Sequence, residues 1–185
     1  FGKFNKPVLH LPYACSTSIH RKIDTIEKSF FIGFIGGLHN ERKRFLDVIK
    51  ETVYNKASVY IGENIFNENL IKATNQLYVM FHYNQSACNG MLPGRPFESL
   101  GCGTTLLMDR LSYNDLIEFL PVHLHDYVFH FSNEKDIKEW VIEYQNKRAT
   151  LELYGLTLMN YIHKNHSYKN RADQIINFAK ENKIL

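Results

Sequence analysis

Cysteine is scarce in this sequence. Its three cysteines, Cys15, Cys88 and Cys102, are odd in number and form no CxxC pair. That excludes a disulfide-stapled miniprotein and suits a reduced, cytoplasmic setting. Long apolar runs are missing too. The longest, Phe30 to Leu38, contains Gly33, Gly36 and Gly37 and falls far short of the roughly 20 residues that cross a bilayer. No transmembrane segment is expected. An excess of one charge is also lacking: 22 Lys+Arg against 19 Asp+Glu leave a net +3, too little to call for nucleic acid. Collagen-like repeats, GxSxG, Walker A and HExxH are absent, which removes the chemistries those motifs serve. There is no initiator Met and no basic-then-apolar leader, as in a processed chain or one excised from a longer protein.

What is present is a chain of 185 residues, 44% hydrophobic and 14% aromatic, enough to bury one core without staples. From residue 30 onward short apolar runs alternate with amphipathic stretches. Phe30–Ile35 reads as a strand buried on both faces and stopped by Gly36 and Gly37. Asn40 is placed to cap a helix carrying Phe45, Leu46, Ile49 and Val53 at helical spacing. Further strands are expected over 57–61, 77–81, 104–108 and 127–131, and helices over 67–74 and 93–101. After Ser132 the chain turns helical, ending in a helix capped by Ser167 whose apolar residues are Ala172, Ile175, Ile176 and Ala179. Residues 82–92 read as a loop, and 1–28 as a connector entering the domain. Strand–helix repetition of this kind implies a parallel sheet with helices on both faces, a three-layer α/β sandwich. Ligands in such sheets bind beyond the carboxyl ends of the strands.

Three groups of residues there could carry chemistry. The glycine turn Gly33-Phe-Ile-Gly36-Gly37, followed by Arg42, Lys43 and Arg44, suits a phosphate as well as it suits a tight strand-to-helix turn with a solvated basic face. It is not GxGxxG, and Glu63 follows the wrong turn for a dinucleotide site. The segment from Asn89 through Gly94, Arg95 and Glu98 to Gly103-Thr104 leads a glycine-containing loop into a helix start. A cation and free N–H groups there suit a diphosphate, and a carboxylate one turn on suits the two hydroxyls of a ribose. The same residues also describe a helix whose Arg95 and Glu98 pair across one turn. The third group, His123, His125, Asp126 and His130, lacks the spacing of a structural metal site and reads as histidines alternating along a half-exposed strand. No metal site is expected. Asp109 reads equally as a ligand contact or a capping residue.

The run Gly94-Arg-Pro-Phe-Glu-Ser-Leu-Gly-Cys-Gly-Thr-Thr-Leu-Leu-Met-Asp109 resembles the R-x-F-E-A-x-A-C-G-x-x-L-L-x-D signature of the donor-binding half of GT-B glycosyltransferases, closest to the CgeB-like (spore-maturation) branch. Phe30–Arg44, Leu77–Asn84 and Asn165–Ala172 are similar to that group's first strand and glycine turn, its central strand and its closing helix. The resemblance implies a Rossmann-like domain, residues 29–185, that binds a UDP- or GDP-linked sugar as substrate and needs no cofactor. It implies that Glu98 holds the ribose and that Gly94 and Arg95 hold the diphosphate, with Arg95 stabilising the leaving group. Gly36 and Gly37 would face the phosphates, and Gly62 and Glu63 would border the base. His82, Asn84, Gly90, Met91, Gly103 and Thr104 would be further donor contacts. Gly90 stands where related retaining enzymes carry the first glutamate of a Glu–seven residues–Glu motif. That departure leaves open a non-catalytic module used for assembly or docking. The resemblance also implies an N-terminal acceptor-binding domain elsewhere in the protein, without which this half would not transfer sugar.

Overall fold

The computed structural model describes residues 7–84 and 92–183. Five parallel strands, β1 (Phe30–Ile35), β2 (Val59–Gly62), β3 (Leu77–His82), β4 (Thr105–Asp109) and β5 (Phe129–Phe131), lie in the order β2-β1-β3-β4-β5. Their registers pair Ile35 with Gly62, Gly33 with Met80, and His82 with Met108. The chain leaves β1 for β2 on one side and returns to β3 on the other, so the winding reverses between β1 and β3. That reversal opens a crevice at the carboxyl ends of those two strands.

Helices cover both faces, as expected of a doubly covered parallel sheet. α1 (Asn40–Thr52) and α5 (Glu134–Tyr144) bury Leu46, Ile49, Ile137 and Val141 against Phe31, Val79, Phe81, Leu107 and Phe131. Rings of Phe81 and Phe131 stack at 5.3 Å. On the other face α2 (Asn67–Asn75), α3 (Gly94–Gly101) and α6 (Arg148–Asn165) pack Ala73, Phe97, Leu100, Leu158 and Ile162 against Met80, Leu106 and Met108. Each fully buried Phe or Leu contributes about 2–3 kcal/mol of transfer free energy. The close approach of α6 to β4 depends on Gly155, where any Cβ would strike the carbonyl oxygen of Gly103. Among the described residues no helix is long and apolar enough to cross a membrane.

Several expectations need correction. The cap of α1 is His39, with no side-chain cap hydrogen bond; Asn40 is the first helical residue. Residues 56–58 form a 3-10 turn ahead of β2, because Asn55 Oδ1 accepts from the Ala57 N–H at 3.0 Å. His82 is the last residue of β3 and not the first of a loop. A helix the sequence reading missed, α4 (Arg110–Ile117), follows β4 directly, capped by Asp109, whose side chain accepts from the Ser112 N–H. His123, His125 and Asp126 lie in a 3-10 segment, Val122–Tyr127, not on a strand. In the last helix, α7 (Tyr168–Glu181), the Ser167 cap is present as a full capping box, but the buried residues are Arg171 and Ala179. Ile175 and Ile176 are exposed.

The segment ahead of β1 packs against the body. Ala14 and Cys15 are completely buried, and Cys15 pairs with Ser167 as an isolated bridge at the start of α7. Arg171, 6% exposed, donates from Nε to the Pro12 carbonyl at 2.9 Å and from Nη2 to the Tyr13 carbonyl at 3.2 Å. Lower down, Lys28 Nζ donates to the Leu77 carbonyl at 2.5 Å. Burial pushes this amine down to about 8.

Candidate functional site

The turns after β1 and β2 are tied together at the crevice. Gly36 adopts φ +155°, a backbone region that favours glycine, and its N–H donates to the Gly62 carbonyl at 3.0 Å. Two residues on, Leu38 N–H donates to the Glu63 carboxylate at 3.0 Å. Glu63 therefore braces the glycine turn. A Cβ at Gly62 would meet the tip of the Ile65 side chain, which would have to shift. Of the basic trio, Arg42 turns towards the crevice. It donates from Nη1 to the Gly37 carbonyl at 3.0 Å and from Nε to the Tyr83 carbonyl at 3.1 Å. Arg44 turns away and pairs with Glu134 of α5 at 3.0 Å, while Lys43 is exposed.

Across the crevice α3 begins without a side-chain cap: Pro93 occupies that position, and its side chain has no acceptor to offer the first amides. The N–H groups of Gly94 and Arg95 thus start the helix with a partial positive charge. The Tyr13 ring comes within 3.3 Å of where a Gly94 Cβ would stand. Arg95 Nη1 donates to Glu98 Oε2 at 3.0 Å, with both side chains 29% exposed. This is the one-turn pairing that their i,i+3 spacing allows. Glu98 also borders a cavity of about 760 Å³ between α2 and the segment 18–23, lined by His20, Ile23, Asn67, Leu70 and Ile71. Burial holds the His20 imidazole below its usual range, with Glu98 pulling the other way.

At the floor, Asp109 is fully engaged. It accepts from the Ser112 N–H at 3.0 Å, from Ser112 Oγ at 2.8 Å and from the Asn84 N–H at 2.9 Å. Of its two expected roles, the structure places it in capping. Asn84 contributes a backbone group here. His82 is buried beside it. Gly90 and Met91 lie outside the described residues.

The structure does not bring Gly103 and Thr104 to this site. α3 carries the chain back across the sheet, so both stand at the amino end of β4, opposite the crevice. Thr104 is fully buried there, donating to the Thr74 carbonyl at 2.8 Å and accepting from Lys28 Nζ at 3.3 Å. The histidine group is likewise dispersed: His125 Nε2 bonds the Leu120 carbonyl at 2.9 Å and His130 faces Arg110 Nη1 at 2.7 Å. Among the described residues no three His, Cys, Asp or Glu side chains are grouped to hold a metal ion. Burial raises the Cys15 and Cys102 thiols to about 11 and about 12, which makes both poor nucleophiles. Sequence reasoning missed the segment 13–23 as a wall of the site. The small apolar pair Ala14-Cys15 between polar neighbours was its only signal.

Residues 35–177 match the model of a family described as Glycosyl transferase-like. Among solved structures, a sucrose-phosphate synthase from Thermosynechococcus elongatus superposes with a TM-score of 0.61 over 92% of this chain at 11% identity. At that identity the likeness is one of fold. The chain spans about half of that protein, 51% of its length. No curated protein matches the sequence.

Proposed function

This chain belongs to the glycosyl transferase-like family, and we propose that it is the C-terminal, donor-binding half of a two-domain GT-B glycosyltransferase of the CgeB-like branch. One observation carries the reading. The braced glycine turn follows β1, and the uncapped start of α3, with Arg95 and Glu98, follows β3, so both lie at the reversal between those strands; Glu98 also borders the cavity beside α2. A diphosphate seated between the turn and α3 would meet backbone N–H groups and the guanidinia of Arg42 and Arg95. Glu98 would exchange its bond to Arg95 for the ribose hydroxyls, and the base would lie in the adjoining cavity.

In the reaction, the bond between the anomeric carbon and the diphosphate breaks, and negative charge grows on the departing phosphate oxygen. Arg95, released from Glu98 when the donor binds, and the α3 amides would stabilise that charge. These cations do the work for which other enzymes recruit a metal, so the transfer is proposed to be metal-independent. Retention at the anomeric carbon is proposed from the motif resemblance around Glu98. The acceptor would come from a second α/β half.

Calorimetry with UDP- and GDP-linked sugars tests the reading. Binding weakened at least about tenfold by Glu98→Ala and by Arg95→Ala is expected, a change of ~1.4 kcal/mol. Failure to bind any nucleotide sugar would overturn it. Such a result would favour a docking module, to which Gly90 in place of an acidic residue already points.

A further inference from the structure

His82 ends β3, is 8% exposed, and its Nε2 has no hydrogen-bond partner among the described residues. Strand alternation puts it on the α2–α3 side of the sheet with Met80. Three charged groups act on it from three elements: Arg42 of α1, Arg95 of α3, and Asp109 at the end of β4. Asp109 already accepts from Ser112 and Asn84, and Glu98 is paired with Arg95. Arg42 and Arg95 both disfavour the imidazolium, and Asp109, which favours it, is already engaged. Burial, with both arginines adding to it and Asp109 opposing, holds it neutral down to about 4. A buried nitrogen left bare costs stability, and such atoms call for an explanation in terms of what else they meet.

We propose that His82 takes up a proton when a nucleotide sugar binds, its Nε2–H then donating to a diphosphate oxygen. The inference rests on the donor-binding reading above and adds a linkage to it. The diphosphate of a nucleotide sugar carries two negative charges, offsets Arg42 and Arg95, and supplies the missing acceptor. One such charge about 6 Å away, at an effective dielectric near 20, raises an imidazole by about two units. The proton comes from the buffer, and no bond other than N–H is made or broken. Affinity therefore rises on acidification, by about tenfold between pH 7.5 and 5, because bound His82 is protonated in a range where free His82 is not.

The test is calorimetry with UDP-glucose and GDP-mannose, whose diphosphates stay fully ionised over this range. Each is titrated at pH 6 in two buffers of different ionisation enthalpy, and Kd is measured at pH 5, 6 and 7.5. The expected result is net proton uptake by the wild type and tighter binding at low pH. In His82→Gln both effects vanish, and the binding that remains is the same at pH 5 and 7.5. Donor binding without proton uptake, or equal uptake by His82→Gln through His20 or His39, overturns this inference and leaves the donor reading standing. Absence of binding at every pH overturns the donor reading itself. Imidazole carbon shifts of His82 in the wild type, followed with and without donor, decide the point independently of whether the variant folds.

Discussion

Arg42 donates from Nε to the Tyr83 carbonyl at 3.1 Å, and so spans the two strand exits between which the sheet reverses its winding. The second bond, to Gly37, fixes the glycine turn to the same guanidinium. Two separate carbonyls held by one planar fork are a geometry that a lysine ammonium does not reproduce.

Arg42→Ala should therefore cost about 1–2 kcal/mol of stability, the low end for hydrogen bonds to a charged donor at a partly open site. Arg42→Lys should recover little of it. Urea denaturation midpoints measure both, and full stability in the lysine variant would show that the two bonds are incidental.

Stability and binding should separate at the Arg95–Glu98 pair. A half-buried i,i+3 ion pair of this kind contributes only about 0.2–1 kcal/mol, so either alanine variant should melt close to the wild type. Nucleotide-sugar affinity should fall in both. Equal affinity in wild type and variants would reduce the pair to a helix ornament.

Gly155→Ala places a methyl group against the Gly103 carbonyl, where neither backbone yields easily. Overpacking of this kind costs about 1–3 kcal/mol. Leu153→Ala, two residues earlier on the exposed face, serves as the control and should be nearly neutral. Comparable losses in the two variants would mean that α6 has room to shift.

Acid should weaken the fold through His166. Burial first, then the charge of Arg171, holds this imidazole down to about 4. The unfolded chain binds its proton near pH 6.5, so the folded state loses stability as pH falls from 6.5 to 4 and no further below. Replacing His166 with Gln should flatten that slope, at some cost at neutral pH from the lost bond to the Phe119 carbonyl. Denaturation midpoints collected from pH 4 to 7.5 would settle it; parallel curves would exclude His166 as a source of acid sensitivity.

The strands were legible because parallel strands covered on both faces are written as unbroken apolar runs, of which Phe30–Ile35 and Leu77–Phe81 are the clearest. α4 escaped notice because only Ser112 and Leu116 of its eight residues are buried, too few to mark a helical stripe. The 3-10 segment was mistaken for strand because Val122 and Leu124 alternate with His123 and His125, which imitates a period of two. At the candidate site, Arg95 and Glu98 pair one turn apart, a relationship readable from their spacing, whereas Gly36 is tied to Gly62 at the end of another strand. Thr104 was misplaced because its position depends on which way α3 runs across the sheet. Tyr13 and His20 were missed because they reach the site through contacts with α3, α6 and α7, far along the chain.

The buckle between Cys15 and the start of α7 has a kinetic consequence. Cys15 N–H donates to the His166 carbonyl at 3.1 Å, and Tyr168 N–H donates back to the Cys15 carbonyl at 2.9 Å. Closing a contact between residues about 150 apart carries a loop entropy of roughly 4–5 kcal/mol, about 1–2 kcal/mol more than joining neighbouring strands. The segment before β1 should then dock after the sheet has formed and release before it melts. The wall of the cavity beside Glu98 is built from that same segment, so the pocket is completed last in folding and opened first in unfolding.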